Sequence, residues 1–346
     1  MNKESTISEP PSIRLVARHA GVSPTTVSLV MNGKAGVAEE TRQAVLKTVE
    51  QLDYVPLPGG RPRGSKPAPG CTNMIALVAP GYSQASLNSP VYMDVLHGVE
   101  VALAEAGKTM VLRHLPPGVS ASMELLPQKV DGVVLFGPPQ EERLFRRLRG
   151  TPCVQVMGAI APEEPWDHVS YANARIGTIA ANYLLSRNHR HTAFVSFGRS
   201  VIFNERGEVF KRTMEAGGGT SLEFVDEALV DSSGNLMQAI PERMQALVDS
   251  LLAVKPWPTA VFLAGDTVAP AFYAELQRHG VKPGADLDVI GCNNEQLLLA
   301  NLKLRPATID IHSEQVGRKA VEHLLWRLGH PRAPRMTVVL EPTLVT

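Results

Sequence analysis

Three cysteines in 346 residues leave no room for a disulfide framework. Cys71, Cys153 and Cys292 are odd in number, far apart and in no CxxC spacing, so neither disulfides nor zinc is expected and buried thiols are. No apolar run reaches the length of a membrane span, and the longest candidates are strand-length. The first dozen residues, MNKESTISEPPS, lack the apolar core of a signal peptide, so the chain is expected to stay in the cytoplasm, away from any membrane. GxGxxG and GxxxxGK[ST] phosphate loops are missing, as are HExxH and GxSxG. The ten histidines are scattered; His189 and His191 flank Arg190 in a solvated turn, and Gly217 to Gly219 read as a flexible loop after a helix. No enzyme, cofactor or metal is expected.

Net charge is also missing, but only in sum: residues 1–70 carry nine Lys/Arg against six Asp/Glu, and the remainder is acidic by the same margin. The imbalance permits a nucleic-acid partner at the N-terminal end. There, after a polar segment 1–12 expected to be disordered, IRLVARHAGVSPTTVSLVMNG reads as two short helices. Ile13, Val16, Ala17 and Ala20 recur at helical spacing, and Gly21 stops the first helix. Ser23 is an N-cap with Pro24 at the first helical position, and Val27, Val30 and Met31 form the second apolar stripe. A third helix, about Glu39 to Leu52, turns Val45, Leu46, Val49 and Leu52 inward. Two short helices joined through Gly-Val-Ser fit a helix-turn-helix.

LPGGRPRGSKPAPG, Leu57 to Gly70, opposes any regular helix through its Gly and Pro, and carries Arg61, Arg63 and Lys66 without an acid. From Thr72 the pattern becomes strands alternating with helices. NMIALVAP, KTMVLRHL, DGVVLFG and PCVQVMG form one series, separated by helices near Tyr92 to Ala106, Ser122 to Lys129 and Glu141 to Leu148. HTAFVSFG, LEFVDEAL, PTAVFLAG and LDVIGCN form a second, and ATIDIH and MTVVLEP close the chain. Two βαβ series give two parallel sheets with helices on both faces, and two such lobes without catalytic residues suggest a ligand cleft.

VARHAGVSPTTVSLVMNG followed by TRQAVLKTVEQLDYVP resembles the DNA-binding head of the LacI/GalR (lactose-repressor) family, and IALVAP, Asp131-Gly132, Asn173, PTAVFLAGD, DVIGCNNE and RPATIDIH follow in that family's order. The resemblance covers roughly Ile13 to Val345. It implies an N-terminal all-α helix-turn-helix head (13–56), a basic linker (57–71) and an α/β core (72–346) of two doubly wound parallel-sheet lobes, periplasmic-binding-protein-like. The first lobe would take about 72–173 and 310–334, the second about 174–309 and 335–346, with crossovers near Asn173, Ile309 and Arg335. Such a chain is expected to be a homodimeric transcriptional regulator, a repressor by expectation, bound to double-stranded operator DNA and controlled by a small-molecule effector, a sugar or sugar acid. An architectural DNA-binding dimer and a solute-binding protein are the alternatives.

By the same resemblance Pro24, Thr25 and Leu29 face base edges, while Ser23, Thr26, Ser28 and Asn32 grip or orient the phosphate backbone, where short hydroxyls at a helix N-terminus suit phosphate oxygens. Leu29 stands where many relatives carry Arg, and Ala38 where a capping Ser or Thr is common. Effector contacts carry over to Arg206, Asp266 and Asn293 in the second lobe and to Asn88, Pro90 and Tyr92 in the first. Gly265 replaces a common Asn, and Asn293 a common Asp; losing that negative charge while keeping Arg206 favours a carboxylate-bearing ligand. The family's hinge helix cannot form in the linker. Pro58 to Pro62 instead resembles the AT-hook core Pro-Arg-Gly-Arg-Pro at four of five positions, which leaves two readings: Arg61 and Arg63 in a narrow minor groove, or a plain tether.

Overall fold

The computed structural model describes residues 13–31, 37–52, 72–82, 86–116, 130–138, 150–158, 164–198, 200–226 and 236–346, with Leu144 and Leu148. The chain divides into two compact units, Met1–Arg63 and Gly64–Thr346.

The first unit holds α1 (Ile13–His19), α2 (Pro24–Met31) and α3 (Glu39–Gln51). Gly21 takes φ 65°, the left-handed turn that a Cβ would strain. Ser23 then caps α2: its Oγ accepts from the Thr26 N–H at 3.1 Å. Val16, Ala17, Val27, Val30 and Val45 close a small core, with Met31, Val49 and Leu52 partly buried against it. Leu46 departs from its expected inward position and is 42% exposed, because the α3 stripe turns on Val45 and leaves its chain neighbour outside.

In the second unit, β1 (Met74–Pro80), β2 (Thr109–Leu115), β3 (Gly132–Phe136), β4 (Cys153–Val156), β5 (Asp167–Tyr171) and a late strand β11 (Thr337–Leu340) form one parallel sheet, ordered β11-β5-β4-β3-β1-β2. The central strands β1, β3 and β4 are buried almost throughout, as strands covered on both faces require. The second sheet is β7-β6-β8-β9, also parallel, from β6 (His191–Phe197), β7 (Thr220–Asp226), β8 (Ala260–Leu263) and β9 (Asp288–Ile290). Helices α4 (Pro90–Glu105), α5 (Asn173–Ser186), α6 (Val201–Ala216), α7 (Leu236–Ala253), α8 (Ala269–Arg278), α9 (Gln296–Leu299) and α10 (Ser313–Gly329) complete the order. No helix among the described residues is long and apolar enough to cross a membrane.

The closing strands differ from the expectation that 335–346 belongs to the second lobe. β11 runs parallel to β5, Thr337 opposite His168, so it extends the first sheet. Only β12 (Thr343–Val345) returns, antiparallel to β10 (Thr308–Asp310). The last crossover therefore lies between Leu340 and Thr343, not near Arg335. The cause is β5 itself, a strand that DHVSY does not announce. Asp167 is buried there because Arg327 of α10 clamps it: Nε to Oδ2 at 2.6 Å and Nη2 to Oδ1 at 2.7 Å. The remaining Arg327 donors reach the carbonyls of His330, Ala333 and Pro334, and the Met336 N–H reaches Asp167 Oδ1 at 2.8 Å. One ion pair thus fixes the chain that leads into β11.

α10 lies against α4 with backbones nearly in contact. A Cβ on Gly317 would sit 2.3 Å from the Val95 carbonyl oxygen, and one on Gly98 2.0 Å from that of Glu314. This approach sets the N-terminus of α4, where Ser89 caps the helix at Tyr92 N, beside the carboxyl ends of the first sheet.

Candidate functional site

Two surfaces concern function, one in each unit. On α2, Val27 and Val30 are buried, while Pro24, Thr25 and Leu29 are exposed and Thr26 and Ser28 half-buried. The helix thus presents the residues assigned to base edges along one outward side. The Ser23 and Thr26 hydroxyls lie 2.9 Å apart and bond one another, so the cap is arranged before any phosphate arrives. Asn32, Arg61 and Arg63 lie outside the described residues, as does Cys71.

In the second unit a cavity of about 320 Å³ opens between the two sheets at the carboxyl ends of their strands, where ligands of open α/β sheets bind. Phe136, Tyr171 and Phe197, the last residues of β3, β5 and β6, line it, with Tyr82 beyond β1 and Phe203 in the first turn of α6. Ser89, Ser196, Thr267 and Asn293 supply polar atoms.

Of the residues assigned to the effector, Asn293 lines this cavity. Its backbone is left-handed, φ 97°, followed by Asn294 at 57°, a turn that asparagine tolerates. Its Nδ2 donates to Glu295 Oε1 at 3.0 Å and its Oδ1 accepts from Arg206 Nη1 at 3.4 Å.

Arg206 is 1% exposed and lies behind the wall. It donates from Nε to Asn173 Oδ1 (2.8 Å), from Nη1 to the Ala264 carbonyl (2.6 Å) and from Nη2 to the Tyr171 hydroxyl (3.0 Å). Its guanidinium also stands 5.6 Å from the Tyr171 and Phe203 ring centroids. Burial works against its charge, yet neighbouring Cys292, Tyr171 and Asp266 hold its pKa above the usual value. Its chain neighbour Glu205 turns elsewhere and accepts from Asn173 Nδ2 at 2.6 Å. Arg206 joins the end of β5, the first residue of α5 and the floor of the second lobe.

Asp266 is fully buried under that floor and does not line the cavity. Oδ2 accepts from Thr308 Oγ1 at 2.7 Å and from the Glu295 N–H at 3.1 Å, fastening β10, while Oδ1 has no partner. Tyr92 is buried edge-on against Phe136, centroids 4.9 Å apart, and Asn88 is exposed beside the cleft; neither lines the cavity. The aromatic wall went unread in the sequence. Its signal was available, since three of its rings end strands of parallel sheets.

Burial pushes the Asp266 carboxyl up to about 7, against the lowering by Thr308 and the Glu295 N–H, and Glu295 is raised for the same first reason. A folded-state pKa above the unfolded 3.8 means that the folded chain binds the extra proton between about 4 and 7, so stability falls as pH rises through that window. The difference corresponds to on the order of 4 kcal/mol. Asp266→Asn keeps an acceptor for Thr308 without the charge. Urea denaturation from pH 4 to 8 should show the variant gaining on the wild type as pH rises; parallel curves would contradict the assignment.

Comparison with known proteins places both units. Residues 12–56 match the model of bacterial regulatory proteins of the lacI family, and residues 181–346 that of the periplasmic binding protein-like domain. The HTH-type transcriptional repressor PurR of Erwinia tasmaniensis is 28% identical over 346 residues, spanning 96% of this chain and 95% of that protein. The HTH-type transcriptional regulator CelR of Thermobifida fusca is 28% identical over 342 residues, 97% of each. Among solved structures, a CelR–cellobiose complex superposes with a TM-score of 0.67 at 27% identity, over 97% of this chain and 98% of that one. The lac repressor dimer bound to operator shares the fold, with a TM-score of 0.64 at 19% identity over 98% of each chain. The chain therefore carries a LacI-family helix-turn-helix head and a periplasmic-binding-protein-like domain, in the order found in full-length DNA-binding transcriptional regulators of that family.

Proposed function

We propose that the chain is a homodimeric transcriptional repressor whose heads read a pseudo-palindromic operator and whose cleft takes a small-molecule effector. The observation that carries this reading is the outward face of α2, where Pro24, Thr25 and Leu29 stand free of the head's core. A single such head offers too few contacts for useful specificity, so two heads on two half-sites are required. The effector acts by favouring one orientation of the lobes, and operator and effector then change each other's affinity by the same factor.

Leu29 is 37% exposed. It cannot give guanine the two hydrogen bonds that an arginine gives, but it fits a thymine methyl. Sites selected from random DNA should carry A·T at its position, and Leu29→Arg should shift that position toward G·C by ~1–3 kcal/mol. An unchanged preference in the variant would exclude Leu29 from base reading.

The linker arginines would add a minor-groove contact to this reading. Arg61→Ala with Arg63→Ala should then reduce the slope of log affinity against log salt by about 2. Wild-type binding to an A·T-centred operator would assign the linker to tethering alone.

A further inference from the structure

We propose that the cleft accepts an uncharged molecule built on a flat aromatic or heteroaromatic ring that bears hydrogen-bond acceptors, an inference that rests on reading the cleft as the effector site. The rings come from both lobes. Tyr82 meets Phe136 edge-on, centroids 5.2 Å apart, on one side; Phe197 and Phe203 stand on the other. Aromatic walls of this kind return most to a flat ring that can stack or meet them edge-on. A volume of about 320 Å³ lies at the small end of ligand cavities and suits one or two rings.

Charge disfavours the ionic alternatives. No Lys, Arg, His, Asp or Glu is among the described residues that line the cavity. Arg206, buried behind the wall, has four of its five N–H donors on Asn173, Ala264, Asn293 and Tyr171. Behind Thr267 and Asn293 sits the buried Glu295 carboxylate, which accepts from both side chains, at 2.7 Å and 3.0 Å. A ligand carboxylate would leave water for a wall that offers no cation among its described residues; the desolvation outweighs what the wall returns. A ligand cation finds no carboxylate among the described residues of the cavity surface.

The polar lining sets the second requirement. Ser89 Oγ accepts from Tyr92 N and Tyr171 Oη from Arg206 Nη2, so each hydroxyl keeps its proton for the ligand. Burial and the neighbouring Tyr171 push the Tyr82 phenol up to about 12, which keeps it a donor as well. The ligand must therefore present acceptors, such as a carbonyl or a ring nitrogen. Gly265, extended and without a side chain, lines the cavity beside Asn293, where an added Cβ would stand 3.3 Å from Asn293 Nδ2.

Three probes separate the properties: 4-hydroxybenzamide (aromatic, uncharged), 4-hydroxybenzoate (aromatic, anionic) and glucose (uncharged, no aromatic ring). Ligand-observed NMR on the full chain should show binding of the amide, at least tenfold tighter than the carboxylate or glucose. Gly265→Leu and Ile202→Trp each fill the cavity from a different lining position, and both should abolish that binding while still unfolding in one cooperative transition. The proposal is overturned if the carboxylate or glucose binds as tightly as the amide, if the amide binds the filled variants as tightly as the wild type, or if it fails to bind the wild type. A cellular metabolite extract tests the underlying reading separately. An extract that raises the melting temperature of the wild type and of neither variant keeps the effector cleft even where the ligand class falls; an extract that treats all three alike removes both.

Discussion

Arg206→Met is expected to destabilise the second unit by ~3–4 kcal/mol and to abolish the response to any cleft ligand. Methionine fills much of the same space, so lost hydrogen bonds rather than an empty cavity set the effect. Asn173 Oδ1 and the Ala264 carbonyl lose a charged donor in a buried setting, and a hydrogen bond to a charged group contributes ~1.5–3 kcal/mol. The contributions do not add fully, because the acceptors share one guanidinium. The functional loss follows from position: Arg206 holds Tyr171, at the end of a first-lobe strand, to Ala264 and Asn293 of the second lobe. Without it the cavity wall loses its fixed shape. Arg206→Lys should recover only part of either effect, since an ammonium cannot reproduce the planar fork. Thermal unfolding with and without ligand reads both quantities. A methionine variant within ~0.5 kcal/mol of wild type would show that the guanidinium network is not a structural tie.

Arg327→Leu should cost at least as much, ~3–5 kcal/mol, the usual effect of removing one partner from a buried ion pair. The Asp167 carboxylate would keep only the Met336 N–H and the His323 imidazole, whose Nε2 lies 2.9 Å away without hydrogen-bond alignment. Burial alone would raise the Asp167 pKa, but hydrogen bonds from Arg327 and Met336 and the charges of Arg327 and His323 lower it overall. Its stabilising contribution is therefore present above the unfolded pKa and lost as pH falls through the depressed folded value. In the variant that contribution is gone, so its deficit relative to wild type should be greatest near neutrality and shrink below pH 4. Asp167→Asn in the same chain should recover part of the loss by removing the stranded charge. A deficit independent of pH would mean that Arg327 acts through packing alone.

These two arginines also mark where the sequence could and could not be read. The head was legible because its signals are local: Ser23-Pro24 starts a helix, and Val27 and Val30 lie one turn apart on its inner face. Leu46 was misread because α3 has apolar residues on both sides of its stripe, and only the packed head decides between them. β5 was missed because Asp167 and His168 look like solvent residues until Arg327, 160 positions later, covers the first. Without β5, β11 has no visible partner in the first lobe, and the expected last crossover falls too early in the chain. Arg206 was singled out for its chemistry, but its environment depends on Asn173 and Asn293, 33 and 87 residues away. No local pattern shows that those acceptors occupy a guanidinium that otherwise reads as a free clamp. The aromatic wall was written at strand ends, a position whose meaning depends on two sheets facing one another.

The most direct test is a selection of bound sites from random double-stranded DNA by the full chain, followed by affinity measurements on the selected site with and without a metabolite extract. One pseudo-palindromic motif with A·T opposite Leu29 is expected, with an affinity that changes at least fivefold with the extract in the wild type but not in Gly265→Leu. Selection without a motif, or a motif whose affinity responds identically in both chains, would contradict that expectation.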